Sequence, residues 1–371
     1  MRRVAVVGAG VAGLGVAWRL AARGWAVTVF ERGRAGRGAS WAAAGMLAPA
    51  AEIGFEELDL YGLGRASLAR WPAFAAELER ASGAPVGLDT SGTLVVADDR
   101  DSAAALRRLF AFQREHGAPV EWLSTDEALE REPMLSPRVP AAIWSPADHQ
   151  VDNRAVVGAL LAACRAAGVA LREDVAVRAV EAGPALRLGD GTRVEAEAVV
   201  VAAGAWTAGV GGLEPAPPVR PVKGQALSVR TTDALRVRHT LRGPRAYLVP
   251  KPDGRLVVGA TSEERGHDTA VTAGGLYRLL EGAVRVLPGI EELDVVETWA
   301  GLRPASRDHA PLLGRTQIPG VHLATGLYRH GLLLLPVVAE GVADEVEAAP
   351  AGREPAPILA PFSPSRFPLS G

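Results

Sequence analysis

Six residues near the start of the chain constrain it more than any others: Gly8-Ala9-Gly10-Val11-Ala12-Gly13. Residues 2–7, apolar from Val4 onward, read as a short buried strand, and residues 11–23 carry the apolar spacing of a helix closed by Gly24. Glycines between such a strand and helix serve distinct purposes. Gly8 permits a tight turn, Gly10 lets a pyrophosphate approach the backbone at the helix N-terminus, and Gly13 lets helix and strand pack closely. A second buried strand at residues 26–30 completes a βαβ unit and ends at Glu31, where a carboxylate can bond an adenosine ribose and disfavours a 2′-phosphate. The residues therefore predict a dinucleotide of the FAD or NAD type rather than NADP, and leave FAD and NAD both open.

The remaining pattern extends this opening. A glycine-interrupted basic loop, starting at Glu31-Arg32 and ending at Ser40, leads into the small-residue segment Trp41 to Pro49. Residues 56–81 and 101–115 read as helices, and 92–97 alternates like a strand. Asp152 is placed to cap a helix reaching Ala167, followed by strands at 169–171, 175–181 and 186–188 and a turn at Gly189-Asp190-Gly191 that suits a hairpin. A buried run at 198–203 stops at Gly204, and Pro215, Pro217, Pro218 and Pro221 mark a boundary. Strand-like segments at 226–230, 246–250 and 256–259, then a helix at 274–287, predict an antiparallel sheet. A strand near 321–324, a helix from about Gly331 to Val346 and a proline-rich tail, expected to be loosely ordered, finish the chain.

Composition narrows the function classes. The 371 residues are 48% hydrophobic and 22% charged, enough for a large core and, by default, two domains. A formal net charge of -2, with scattered arginines, argues against nucleic acid. Cys164 is the only cysteine, which excludes an intrachain disulfide framework and a multi-cysteine metal site and fits a reducing cytoplasm. The histidines lack paired ligand spacing, so no metal is expected, and no GxSxG motif is present. Gly8 and Gly10 interrupt the N-terminal apolar run too early for a signal peptide, and the late run Gly331 to Ala339 is less than half of the roughly 20 residues that span a bilayer. Asn153 is the sole asparagine; GC-rich coding and a thermophilic source explain that equally well.

The choice between FAD and NAD turns on the segment Ser40-Trp41-Ala42-Ala43-Ala44-Gly45-Met46-Leu47-Ala48-Pro49, with Ala51-Glu52 behind it. Its small residues suit backbone passing close to a flat ring, although a tightly packed helix would have the same composition. The stretch resembles the flavin-embracing loop of the glycine oxidase and D-amino acid oxidase superfamily, nearest the glycine oxidases, and the similarity extends to about Val346. Val199-Val200-Val201-Ala202-Ala203-Gly204-Ala205-Trp206 is similar to the strand that this superfamily lays over its cofactor. The resemblance implies noncovalent FAD, since Ala305-Ser306-Arg307-Asp308-His309 lacks the cysteine that attaches flavin in some sarcosine-oxidising relatives. It implies cofactor contacts from Gly8, Gly10, Val11, Ala12, Gly13, Glu31, Arg32, Ser40, Ala44, Gly45, Met46, Gly204 and Trp206, and from Val177 at the adenine to within a residue or two. His330, Gly331, Leu332 and Leu333 join them at a helix N-terminus that would face the flavin N1/O2 edge, with His330 making a backbone contact at most or lying on the surface.

Arg303, in Gly301-Leu302-Arg303-Pro304, is the candidate for bidentate pairing with a substrate carboxylate, and Tyr247 for donating its phenol to the same group. Arg329 resembles a family residue near substrate and flavin. Ser262 and Arg245 depart from the family pattern and are expected to alter the pocket. The implied architecture is α/β: a discontinuous Rossmann-like FAD-binding domain at 1–85, 150–217 and 300–350, a second α+β substrate domain built on an antiparallel sheet at 86–149 and 218–299, and a tail at 351–371. The implied activity is oxidative deamination of glycine or another small amine or D-amino acid, with molecular oxygen reduced to hydrogen peroxide, a place in making the thiazole of thiamine, and a cytoplasmic homo-oligomer, a tetramer by resemblance. Sarcosine or proline as substrate, a dehydrogenase that avoids oxygen, and a non-catalytic flavin-binding subunit remain open alternatives.

Overall fold

The computed structural model describes residues 2–349 and 356–367. Two sheets organise it. The first has six strands in the order Leu312–Arg315, Val321–Thr325, Ala198–Val201, Arg3–Val7, Ala26–Phe30, Ala170–Arg172, all neighbours parallel except the first pair. Its central strand is buried on both faces, which is why residues 4–7 are apolar without alternation. Val4 and Val6 join a core with the helices Val11–Ala22, Leu58–Ser82, Asn153–Ala166 and Leu335–Ala348. Ala5 and Val7 join the opposite core, under the three-stranded sheet Val177–Glu181, Ala185–Leu188, Arg193–Glu195.

The second sheet has eight strands in the order Val295–Ala305, Arg220–Arg230, Arg255–Gly259, Tyr247–Pro250, Thr240–Arg242, Thr93–Val96, Ala142–Ser145, Glu121–Leu123. All its pairs are antiparallel except Thr240–Arg242 with Thr93–Val96. The helix Ala273–Val286 covers one face, burying Leu279, Ala283 and Val286 against Leu248, Leu256 and Val258. The other face turns Ala226, Val249, Val257 and Trp299 toward Ala44 of the small-residue loop. The chain is therefore a mixed α/β fold whose two large sheets are one mainly parallel and one mainly antiparallel. The expected boundary at residue 300 falls inside the strand Val295–Ala305, whose pairing with Arg220–Arg230 continues unbroken through Arg303 and Pro304 to Ala305.

Two expectations need correction. The last long helix begins at Leu335 rather than Gly331, with Pro336 in its first turn. The unbroken apolar run Leu332 to Leu335 hid the boundary by erasing any periodicity, whereas a proline favouring the first helical turn marked it. The tail is not loose where it is described: Leu359 and Phe362 are 2% exposed, and Arg366 bonds Asp308 at 2.8 Å and the Pro311 carbonyl at 2.7 Å. Residues 350–355 and 368–371 of that tail lie outside the described residues.

Candidate active site

A cavity of about 550 Å³ runs from the glycine turn to the inner face of the antiparallel sheet, within the usual range for a ligand pocket. At the turn, Gly8 adopts φ +102°, and a side chain there would run into the Ala202 carbonyl of the neighbouring strand. Gly13 lies outside the cavity lining: any Cβ on it would strike the Gly8 carbonyl, so it buttresses the turn from behind. Gly10, Val11 and Ala12 line the cavity at the start of the helix Val11–Ala22, which has no acidic residue in its first turn. Ser40 Oγ accepts from the Val11 amide at 3.0 Å. Glu31 ends its strand in the cavity wall and accepts the Ala9 and Gly33 amides at 2.9 and 3.0 Å, one on each carboxylate oxygen. Arg32 lies 3.7 Å over the Trp206 ring, which stacks on His267 at 5.4 Å, and Val177 and Gly204 complete this end.

The small-residue loop is held from outside. Asn153 donates to the Ser40 and Trp41 carbonyls at 3.1 and 2.8 Å, Trp299 to the Ala42 carbonyl at 2.9 Å, and Lys251 to the Ala44 carbonyl at 2.6 Å. The Val151 amide takes the Gly45 carbonyl at 2.9 Å. With its carbonyls drawn outward, the loop presents Ser40, Ala44, Gly45 and Met46 to the cavity. Sequence reasoning passed over Lys251, since Pro250-Lys251-Pro252-Asp253-Gly254 looks like a solvent turn, yet the side chain is only 6% exposed. Burial pushes its ammonium down to about 7, but its three neighbours at the nitrogen (the Ala44 and Val151 carbonyls and Gln150 Oε1) are all acceptors, an arrangement that favours the charged form.

Before the last helix the chain makes a turn closed by the Leu334 amide on the His330 carbonyl at 2.8 Å. Gly331 and Leu332 line the cavity, and among the described residues their amides take no acceptor, which leaves two unpaired donors in the cavity wall. Leu333 points elsewhere: it is buried, and its carbonyl accepts from Ser67 and Trp71 at 2.7 and 3.1 Å. His330 is neither on the surface nor in the cavity wall. It is buried, with Nδ1 3.7 Å from Glu52, and burial holds its pKa below the ordinary histidine value.

At the far end, Arg303 and Tyr247 come from strands separated by two others, Arg220–Arg230 and Arg255–Gly259. A Cβ on Gly224 would sit 2.5 Å from the Arg303 guanidinium, and one on Gly259 would sit 2.5 Å from the Tyr247 hydroxyl. Each long side chain thus lies flat across a glycine of the adjoining strand, and the two converge over the middle of the sheet. Arg303 Nη1 donates to the Thr261 carbonyl at 3.0 Å, which orients the fork. Burial raises the Tyr247 phenol, opposed by the nearby Arg303 charge, so it stays a proton donor at neutral pH. Arg329 lines the mouth, loosely paired with Glu57 at 3.9 Å.

Glu52 completes this wall and was not among the candidates. Its side chain is 7% exposed and bonds Arg242 at 2.7 Å; burial pushes its carboxyl up, but Arg242, His330 and Arg329 together hold it below the usual range. Asp148 anchors the segment before it, accepting the Ala50 and Ala51 amides at 3.1 and 2.7 Å, and burial pushes its carboxyl up to about 7. The expected influence of Ser262 and Arg245 on the pocket is not found: Ser262 is exposed, Arg245 pairs with Asp98 at 2.5 Å, and neither lines the cavity. Among the described residues no three His, Cys, Asp or Glu side chains are grouped to hold a metal, and no helix is long and apolar enough to cross a membrane. Cys164 is buried against the Leu14 carbonyl, its thiol pushed up to about 12, and so is unreactive.

FAD fits this arrangement. The turn leaves no room for side chains, as a diphosphate lying against backbone would require, a carboxylate ends the second strand in the cavity wall, and two orphan amides and a loop of small residues line the rest of the cleft. A family model described as FAD dependent oxidoreductase matches residues 3–345. The chain is 40% identical to a glycine oxidase of Geobacillus kaustophilus, covering 98% of this chain and 96% of the other. It is 38% identical to an oxidoreductase of Rhizobium etli named for thiamine biosynthesis, covering 92% and 95%. It spans only 55% of the bifunctional ThiO/ThiG proteins that it also matches. The crystal structure of glycine oxidase from Geobacillus kaustophilus superposes with a TM-score of 0.91 at 39% identity, covering 99% of this chain and all of the other.

Proposed function

The chain belongs to the family of FAD-dependent oxidoreductases, and from that membership we propose that it oxidises glycine, or an amino acid nearly as small, with oxygen as the final acceptor. The convergence of Arg303 and Tyr247 over two glycines carries this reading, because a planar fork beside a neutral phenol suits one carboxylate held flat against the sheet. Bound FAD supplies a two-electron acceptor, and the Gly8 to Gly13 turn, Glu31, the 40–46 loop and the Gly331-Leu332 amides would hold it. Arg303 and Tyr247 fix the carboxylate, so the substrate's Cα has one orientation in the cavity and the step gains from positioning rather than from a dedicated base. Arg329 at the mouth attracts the anionic end of the incoming substrate and helps exclude water once it is seated. The amine gives up a hydride from Cα and a proton from nitrogen; water then hydrolyses the imine. The sum is glycine, oxygen and water converted to glyoxylate, ammonia and hydrogen peroxide.

The Rhizobium relative's name supports a supply role in thiamine biosynthesis, and the lone cysteine supports a cytoplasmic setting. The reading includes a homotetramer, on resemblance alone. The test is anaerobic mixing of the yellow holoprotein with glycine: bleaching of the visible flavin band is expected, followed in air by one hydrogen peroxide per glyoxylate. A flavin left oxidised by glycine and by a panel of small amino acids would defeat the reading. Bleaching without peroxide would replace oxidase by dehydrogenase.

A further inference from the structure

The chain has only two lysines, Lys223 and Lys251; the rest of its 40 lysine and arginine residues are arginine. Both lysines are buried, at 1% and 6% exposure, and they differ in their partners. Lys223 is neutralised by Asp268 at 2.6 Å. Lys251 touches no carboxylate: its ammonium is spent on the Ala44 carbonyl at 2.6 Å, the Val151 carbonyl at 2.8 Å and Gln150 Oε1 at 3.0 Å. Three separate acceptors around one point suit an ammonium and not a planar guanidinium. A buried charge without a carboxylate partner is costly, so its position calls for a reason.

That position is directly behind the cavity. Lys251 follows the strand Tyr247–Pro250, so the strand that delivers Tyr247 to the substrate end also delivers Lys251 to the back of the 40–46 loop. In a trans peptide the carbonyl and the following amide point in opposite directions. With the Ala44 carbonyl drawn onto Lys251, the Gly45 N–H is aimed away from it, toward the cavity that Gly45 lines, and among the described residues that N–H has no acceptor. The Gly45 carbonyl is held in turn by the Val151 amide at 2.9 Å, so the carbonyls on both sides of the Gly45 N–H are fixed. A hydrogen bond from a cation to the carbonyl also polarises the peptide and strengthens its N–H as a donor.

We propose that Lys251 is a positioning residue for the flavin: it fixes the Ala44–Gly45 peptide with its amide toward the ring and, through that amide and its own buried charge, favours the reduced cofactor. The inference rests on the family's cofactor and goes beyond it by assigning the tuning of its potential to a side chain outside the cavity. A positive charge and a strong donor near the ring stabilise the electron-rich form and raise the reduction potential. Asn153 serves as the control, because it clamps the same loop by its Ser40 and Trp41 carbonyls with a neutral amide.

The experiment measures FAD dissociation constants and flavin midpoint potentials for the wild-type holoprotein, Lys251→Met and Asn153→Ala. Both variants should bind FAD more weakly, by tenfold or more for Lys251→Met, and only Lys251→Met should shift the potential clearly downward. An unchanged potential in Lys251→Met, or an equal fall in Asn153→Ala, overturns the proposal. Should Lys251→Met not fold, the wild type answers through its two lysines: with 15Nζ-lysine the Lys251 signal should move on flavin reduction while the Lys223 signal stays, and a stationary Lys251 signal overturns the proposal. A protein that takes up no FAD at all would defeat the cofactor reading itself, an outcome distinct from either.

Discussion

The two ends of the cavity are built from different materials. The end at residues 8–46 is made of backbone: glycines that exclude side chains, amides ordered by Glu31 and Ser40, and carbonyls held back by Asn153, Trp299 and Lys251. The end at Arg303 and Tyr247 is made of long side chains laid across a sheet whose glycines give them room, with Glu52, Arg242 and Arg329 setting the charge around them. The contrast shows how one fold can hold a constant cofactor and a variable substrate. Backbone donors cannot be changed by substitution without changing the chain path, whereas guanidinium, phenol and carboxylate can be exchanged singly.

If the ends are independent, damage to one should spare the other. Gly13→Val should have the largest effect, since its side chain must displace the Gly8 carbonyl: little folded protein and no bound FAD, read from the visible spectrum and the thermal melt. Retention of a normal flavin spectrum would break the distinction. Arg303→Ala should keep its flavin and lose about 3–4 kcal/mol in kcat/KM for glycine, mostly through KM, and Arg303→Lys should recover little because the fork is gone. Loss of FAD from Arg303→Ala would show that the ends are coupled.

Asp148 gives a pH test of the wall behind Glu52. Its folded pKa, pushed up to about 7, exceeds the unfolded value, so its contribution is complete at low pH and is lost as pH rises through the folded pKa. Stability should fall by on the order of 2 kcal/mol between about pH 5 and pH 7, and Asp148→Asn should flatten that slope in urea melts. A slope unchanged in the variant would move the titration to another group. The smallest effect is expected from Tyr247→Phe, about 1.5 kcal/mol in kcat/KM with an unaltered flavin spectrum, the low end for one hydrogen bond to a charged group.

The cofactor end was legible because its signal is local. Gly8, Gly10 and Glu31 fall within one βαβ unit, and the turn needs their chemistry whatever the rest of the chain does. Arg303 and Tyr247 were found by resemblance to a family, and the convergence of their side chains could not be read from residues 56 apart in sequence. Gly224 and Gly259 looked like ordinary strand glycines, and their purpose appears only when Arg303 and Tyr247 lie across them. The burial of Leu333 and His330 was not legible for the opposite reason: a run of apolar residues next to the site gives no indication of which side faces it.

By itself the sequence determined the dinucleotide turn, the two kinds of sheet and the absence of a cysteine framework, since turn sterics, apolar periodicity and composition act over a few residues at a time. Only the tertiary structure decided that Lys251 is buried, that Glu52 shares a wall with Arg242 and Arg329, and that the last helix begins four residues late. Burial and charge pairing depend on which distant segments are brought together, and a linear pattern holds no distances between them.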